Sequence, residues 1–143
     1  MSETGSYQYF KDIFHIEHGD PAAYSPLAYI GDSVFDIMIR TMEVSQVNKQ
    51  VNKYHKDVSK IVCAPAQAKM IMAIKEHLTE EERDIYKRGR NANSYTKAKN
   101  ATRTEYRKAT GFEALLGYLY LKEDFERLVD VVKMGLDVLQ ETE

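Results

Sequence analysis

The sequence is poor in the residues that cross-link, interrupt or anchor a chain. Its 143 residues include a single cysteine, Cys63, so no internal disulfide can form and a reducing compartment is expected. Its longest apolar run is far shorter than the roughly 20 residues that cross a bilayer, and residues 1–10 carry no secretory signal. We therefore expect a cytoplasmic protein without a membrane segment.

Strict alternation of polar and apolar residues, the pattern of strands, is also scarce. Apolar residues recur at helical spacing, and only three prolines and seven glycines interrupt the chain, which predicts an all-α fold. We expect residues 1–21 to form an arm or a short helix and residues 22–143 to form one domain. Its helices are predicted over residues 26–42, 47–61, 64–77, 80–88, 104–121 and 124–140.

Two local signals mark the ends of the predicted helix 80–88. Thr79 and Glu82 have the spacing of a capping box at its start. Gly89 is expected to end it, because glycine commonly occupies the residue after a helix. The polar stretch 91–102 that follows lacks periodicity, and loops of this length in compact domains are often functional.

Positive charge is concentrated in one segment of an otherwise acidic chain. The sequence has 20 basic and 22 acidic residues, yet residues 87–108 hold eight basic residues against one acidic residue, Glu105. Such asymmetry indicates a polyanionic partner, whereas a solvated helix end followed by a flexible loop is the alternative. The candidate phosphate contacts are Lys87, Arg88, Arg90, Asn91, Lys97, Lys99, Arg103 and Arg107.

Two carboxylates occur where the surrounding residues are apolar. Asp32 lies within residues 27–35 (LAYIGDSVF), and Glu113 lies within residues 111–117 (GFEALLG). An unpaired carboxylate in a core is costly or becomes protonated, so each acid could be held by an arginine, a lysine or a backbone donor. Two carboxylates that converge from two helices would instead form an oxygen-ligand site of the kind that Mg²⁺ or Mn²⁺ prefers.

The predicted helix 26–42 carries a further acid, Asp36, one turn after Asp32 on the same face. Asp36 is either a third acid of the same site or part of the solvated side of the helix. Apolar residues nearly encircle this helix, which predicts a central position or a place at an interface.

Three motifs in this order resemble the ribonuclease III family. Residues 27–35 resemble its signature helix, residues 111–121 (GFEALLGYLYL) resemble its second acidic motif, and residues 87–92 (KRGRNA) resemble its Mini-III subgroup in particular. The resemblance covers residues 22–140. It implies the all-α helical bundle of the ribonuclease III endonuclease domain, working as a homodimer with helix 26–42 at the interface.

The resemblance also implies an activity, the Mg²⁺-dependent endonucleolytic cleavage of double-stranded RNA, with Mn²⁺ as a substitute ion. Its subgroup is associated with maturation of the large-subunit (23S) ribosomal RNA precursor. Asp32 falls on the family's signature aspartate and Glu113 on its essential glutamate, so both are expected to be catalytic metal ligands. In that mechanism Asp36 would orient the attacking water or join the outer shell of the metal, and the basic residues of segment 87–108 would contact RNA phosphates.

Other acids of the family pattern are absent, because Ser25, Ala28 and Thr110 stand at their positions. Fewer protein ligands leave more of the metal shell to water and RNA phosphate, which Mg²⁺ tolerates. The absence of these acids leaves two other functions open. One is a non-catalytic scaffold that binds RNA or the ribosome, and the other is a helical adaptor whose buried acids are merely paired.

Overall fold

A computed structural model of the chain describes residues 5–46, 51–92 and 102–141, and every regular element in these ranges is helical. This confirms the predicted fold class. Within the same ranges, no helix has both the length and the apolar character needed to cross a membrane. The α-helices are α1 (Ser6–Ile13), α2 (Leu27–Gln46), α3 (Val51–Val62), α4 (Ala64–Ile74), α5 (Glu80–Asn91), α6 (Arg103–Leu121) and α7 (Phe125–Glu141), and Pro21–Ala23 and Lys75–His77 form 3₁₀ helices.

The predicted helices correspond to these elements with small shifts at their ends. Helix α2 extends the predicted 26–42 as far as Gln46, and the predicted 64–77 divides into α4 and the 3₁₀ helix Lys75–His77. The expected N-terminal arm contains α1. The first residues of the predicted helix 47–61 and most of the loop 91–102 lie outside the described residues.

Helix α6 is the centre of the domain and packs against α2, α4 and α5. Its second half is almost wholly apolar and is buried from Phe112 to Leu119 except at Glu113. Such a helix has to be surrounded by others. The ring of Phe112 meets that of Phe35 from α2 edge to face, with centroids 5.6 Å apart.

Helices α2 and α6 cross with their backbones in direct contact. A Cβ atom on Gly31 would lie 1.7 Å from the carbonyl oxygen of Glu113, and one on Gly117 would lie 2.0 Å from the carbonyl oxygen of Leu27. Only glycine permits this approach at either position. The crossing therefore places Asp32, the residue after Gly31, beside Glu113.

The expectation that Gly89 ends α5 is wrong. The helix continues to Asn91, and no described glycine has a positive φ. A Cβ atom on Gly89 would lie 2.6 Å from the Cβ of Ala114, so this glycine serves the close packing of α5 against α6. The capping box of Thr79 and Glu82 at the start of α5 is confirmed.

A partly buried ion pair joins α5 to α7. Arg127 donates from Nε and Nη2 to the two carboxylate oxygens of Glu82 at 2.8 Å each, and Nη2 also donates to the carbonyl of His77 at 3.0 Å. Burial alone would raise the pKa of Glu82, but hydrogen bonds from Arg127 and Thr79 hold it below its ordinary value. Glu82 therefore stays ionised while it caps one helix and binds another.

The N-terminal helix α1 contacts the C-terminal end of α6. The ring of Tyr7 meets that of Tyr120 with centroids 5.4 Å apart, and the Lys11 ammonium lies 2.9 Å from the carboxylate of Glu123. These contacts attach the arm to the bundle. The division of the chain into residues 1–21 and 22–143 stays a prediction.

Candidate active site

The two acids singled out in the sequence line the same cavity. This cavity has a volume of about 570 Å³ and lies between α2, the junction of α3 with α4, and α6. Asp32 is exposed to solvent, whereas Glu113 is partly buried. Cys63, Gln67, Tyr106 and Thr110 are among the residues of its walls.

Glu113 has an unusual electrostatic environment. Burial, a hydrogen bond with Asp32 and the charge of Asp32 raise the pKa of Glu113 from 4.5 to about 8, against the lowering effect of a hydrogen bond from Gln67. Two neighbouring carboxylates cannot both ionise readily, so Glu113 keeps its proton at neutral pH when no cation is bound.

The structure does not support the alternative in which a lysine or an arginine pairs with each of the two acids. Among the described residues, no lysine or arginine forms an ion pair with Asp32 or Glu113. Asp32 is also less buried than its apolar sequence neighbours suggest, because it lies on the exposed side of α2. The two carboxylates therefore face each other and the solvent of the cavity.

Gln67 is a polar residue of the site that sequence reasoning missed. Its Nε2 donates to the carbonyl of Val62 at 2.7 Å and to Oε2 of Glu113 at 3.5 Å. Its Oε1 is buried without a hydrogen-bond partner in the described part of the chain. Gln67 is the one glutamine in the stretch 64–69 (APAQAK), and nothing in the sequence distinguishes it from a glutamine at the protein surface.

The donor set of the cavity fits a hydrated divalent cation. Carboxylate oxygens are the ligands that Mg²⁺ prefers, and this ion is usually bound by one or two carboxylates while it keeps several waters. No group of three or more histidine, cysteine or acidic side chains suited to a metal ion occurs among the described residues. Asp32 and Glu113 would therefore supply few of the ligands, and water and phosphate would supply the rest.

Asp36 is not brought into this pair. Its Oδ2 lies 2.8 Å from Nε of Arg40, the residue one turn further along α2. It is partly exposed, and it is not among the residues that line the cavity of Asp32 and Glu113. Its catalytic role stays a prediction.

The basic residues at the end of α5 have contacts within the protein. Arg88 donates from Nη2 to the carbonyl of Ala22, which ties α5 to the 3₁₀ helix Pro21–Ala23. Arg90 lies 5.6 Å from the ring centroid of Tyr86, and its Nε donates to Oδ1 of Asn91 at 3.3 Å. These arginines therefore have structural roles besides any contact with a partner.

Other basic residues of the segment are open to solvent. Arg103 and Arg107 are exposed on the first turns of α6, and Lys87 is exposed on α5. Arg107 lies about 9 Å from Glu113 along the helix axis, because an α-helix rises about 1.5 Å per residue. Arg103 and Arg107 both lie on the side of α6 that also carries Thr110. Lys97 and Lys99 lie outside the described residues.

Comparisons with known proteins point to one family. The model of the ribonuclease III domain matches residues 25–124. The Mini-ribonuclease 3 of Thermoanaerobacter sp. (strain X514) is 50% identical over 115 residues, which cover 80% of this chain and 81% of that relative. The Mini-ribonuclease 3 of Clostridium tetani is 48% identical over 118 residues, which cover 81% of this chain and 78% of that relative.

A solved structure shares the fold. The crystal structure of a Fusobacterium nucleatum protein superimposes with a TM-score of 0.73 at 28% sequence identity, covering 88% of this chain and all of that one (100%). The matched domain includes Asp32, Glu113 and most of the helices that place them. The chain therefore belongs to the ribonuclease III family, among its Mini-ribonucleases 3.

Proposed function

We propose that this endoribonuclease cleaves double-stranded RNA with Mg²⁺ held by the carboxylates of Asp32 and Glu113, and that Mn²⁺ can replace Mg²⁺. The observation that carries the proposal is the convergence of these two carboxylates, from α2 and α6, in one open cavity. The pair adjoins no described lysine or arginine ion-pair partner, so it is able to accept a divalent cation.

A bound divalent cation would stabilise charge on a phosphoryl oxygen and would make a water more acidic for attack on the phosphodiester. Two residues of this chain would provide ligands for such a cation. Asp32 presents an exposed carboxylate at the cavity, and Glu113 presents a second, partly buried carboxylate from the cavity wall. Glu113 has to release its proton first, because a ligating carboxylate is deprotonated. We keep for Asp36 the role of orienting the attacking water.

The proposed RNA contacts lie on the helix that carries Glu113. Arg103 and Arg107 are exposed on the same side of α6 as the cavity-lining Thr110, so a duplex bound there would place a phosphodiester near the carboxylates. Such contacts position the backbone without reading bases. We propose the 23S ribosomal RNA precursor as the natural substrate, on the basis of the Mini-III resemblance of residues 87–92.

We further propose that two copies of the chain form the active enzyme. Helices α2 and α7 border an apolar groove of about 430 Å³ that includes Ile37, Met42, Phe125 and Val129. Ile37 and Phe125 are 61% and 62% exposed, which is unusual for large apolar side chains. A two-fold pairing of this face would give two active sites, one for each strand of the duplex.

Cleavage of a labelled RNA duplex with and without Mg²⁺ tests the function. Asp32→Asn and Glu113→Gln are expected to abolish cleavage while circular dichroism shows an intact fold, and Asp36→Asn is expected to reduce it less. The matched controls Asp130→Asn and Glu76→Gln remove exposed carboxylates elsewhere and should cleave like the wild type.

Two outcomes would contradict the proposal. Cleavage retained in Asp32→Asn or Glu113→Gln would remove the metal site. Wild-type protein that binds the duplex but never cleaves it, with Mg²⁺ or Mn²⁺ present, would favour the non-catalytic scaffold, which the absence of acids at Ser25, Ala28 and Thr110 keeps as the second candidate.

A further inference from the structure

Gln67 lies in the wall of the active-site cavity, one turn into α4. It is 2% exposed, and apart from tyrosines Glu82 is the only other polar or charged side chain that is buried in the described part of the chain. Glu82 has a bidentate arginine partner and a capping role. Gln67 has no comparable set of partners, so its burial calls for a different explanation.

The contacts of Gln67 fix the orientation of its amide. The NH₂ group faces two acceptors, the carbonyl oxygen of Val62 at 2.7 Å and Oε2 of Glu113 at 3.5 Å. A flipped amide would place Oε1 against both of these acceptor oxygens, which is unfavourable because no hydrogen would lie between them. In the observed orientation Oε1 is buried and has no partner among the described residues.

A role limited to the end of α3 accounts for only part of this arrangement. The bond to Val62 satisfies one of the carbonyls that the helix leaves open at its C-terminus. It explains neither the contact of Nε2 with Glu113 nor the buried oxygen, whose lack of a hydrogen-bond partner is unfavourable. An apolar side chain would avoid that cost.

We propose that Gln67 is a positioning residue that holds the carboxylate of Glu113 toward Asp32, so that the pair is preformed for a divalent cation. The proposal rests on the proposed metal site. The amide bridges a backbone carbonyl and the Glu113 carboxylate, as partners of ligating groups commonly do. Without it, Glu113 would have to be oriented by the cation itself, which weakens binding.

The test is binding of Mn²⁺ alone, measured by electron paramagnetic resonance without RNA. Gln67→Met and Gln67→Leu keep the side chain large and remove the donor, and each is expected to weaken Mn²⁺ binding by about 10- to 100-fold. Gln140→Met, at an exposed position of α7, is the matched control and should bind Mn²⁺ like the wild type. With RNA, the Gln67 variants should lose kcat at little change in KM.

The outcomes separate this proposal from the metal site on which it rests. Wild-type protein that binds no Mn²⁺ would contradict the metal site itself. Wild-type binding together with unchanged Mn²⁺ affinity in a folded Gln67 variant would overturn the positioning role alone. Failure of both variants to fold would show that Gln67 is required for the fold itself, and would overturn a role limited to positioning Glu113.

Discussion

Glu113 keeps its proton at a pH where ordinary glutamates have lost theirs, because it is partly buried beside Asp32. Its pKa of about 8, against 4.5 for an unperturbed group, links protonation to folding. Below pH 4.5 both the folded and the unfolded chain carry the proton. As the pH rises toward 8, the unfolded chain has released this proton whereas Glu113 of the folded chain still holds it. The folded state therefore loses stability relative to the unfolded state as the pH rises.

We therefore predict that the metal-free protein loses stability between about pH 5 and pH 8 in part through Glu113. Glu113→Gln cannot ionise, so the variant should lose less stability over the same range. Thermal unfolding at a series of pH values, in the presence of a chelator, measures the difference. At about pH 9 the variant is expected to have the higher Tm of the two.

The control is Glu76→Gln, which changes an exposed glutamate and should keep the wild-type pH dependence. Added Mn²⁺ should stabilise the wild type more at pH 9 than at pH 6, since the ionised pair is the form that binds it. Parallel curves for Glu113→Gln and the wild type would mean that Glu113 has an ordinary pKa.

Sequence reasoning found the acids of the site because carboxylates are conspicuous among apolar residues. Asp32 and Glu113 stand out in residues 27–35 and 111–117 for that reason. It missed Gln67, since a glutamine carries no charge and its place in the buried wall of the cavity depends on how α3, α4 and α6 meet. The sequence did not decide whether Asp36 belongs to the site or to the solvated side of the helix, and only the structure shows its contact with Arg40.

The crossing of α2 and α6 decides the distance between the two carboxylates. We predict that Gly31→Ala lowers the free energy of unfolding by about 3 kcal/mol or more, at the upper end for overpacking, because the added methyl meets backbone 1.7 Å away. Backbone atoms cannot rotate aside, so the helices must separate. Urea denaturation measures the loss, and Mn²⁺ binding should weaken as Asp32 moves from Glu113.

The matched control is Gly19→Ala, where an added Cβ meets nothing within 4 Å and the glycine has no positive φ. This variant should keep wild-type stability and metal binding. A Gly31→Ala protein of unchanged stability would show that the two helices are not in backbone contact.

The helices themselves were largely predictable, whereas their packing was not. Apolar periodicity and the capping box at Thr79 located most elements within a few residues. Gly89 was mistaken for a helix end because a glycine that terminates a helix and one that permits a close crossing look alike in sequence. Only its contact with Ala114 distinguishes the two.

The charge of the molecule is unevenly distributed, so its net value of −2 says little about its partners. We predict that Arg103→Ala and Arg107→Ala weaken binding of an RNA duplex and reduce the slope of log affinity against log salt concentration by about one unit each. Fluorescence anisotropy in a chelator separates binding from cleavage. Both side chains are exposed on α6, so their loss should leave the fold intact.

The matched control for the RNA contacts is Lys122→Ala at the opposite end of α6. Lys122 lies 3.9 Å from Glu81 in an acidic cavity, so its loss should not affect RNA affinity. Equal salt dependence in the wild type and in both arginine variants would show that these residues do not contact phosphates. Arg88→Ala is a poorer test, because Arg88 also binds the carbonyl of Ala22.

Pairing through the apolar groove between α2 and α7, as proposed, would make the whole enzyme depend on a second copy. We predict that Ile37→Glu and Phe125→Glu convert a dimer into a monomer, because each would bury an unpaired charge at the interface. Sedimentation velocity at low micromolar concentration measures the change. Met72→Glu, which places the same charge at an exposed methionine of α4, should remain dimeric. A wild-type monomer, or groove variants that still pair, would contradict the dimer, since the exposed Ile37 and Phe125 are its main support.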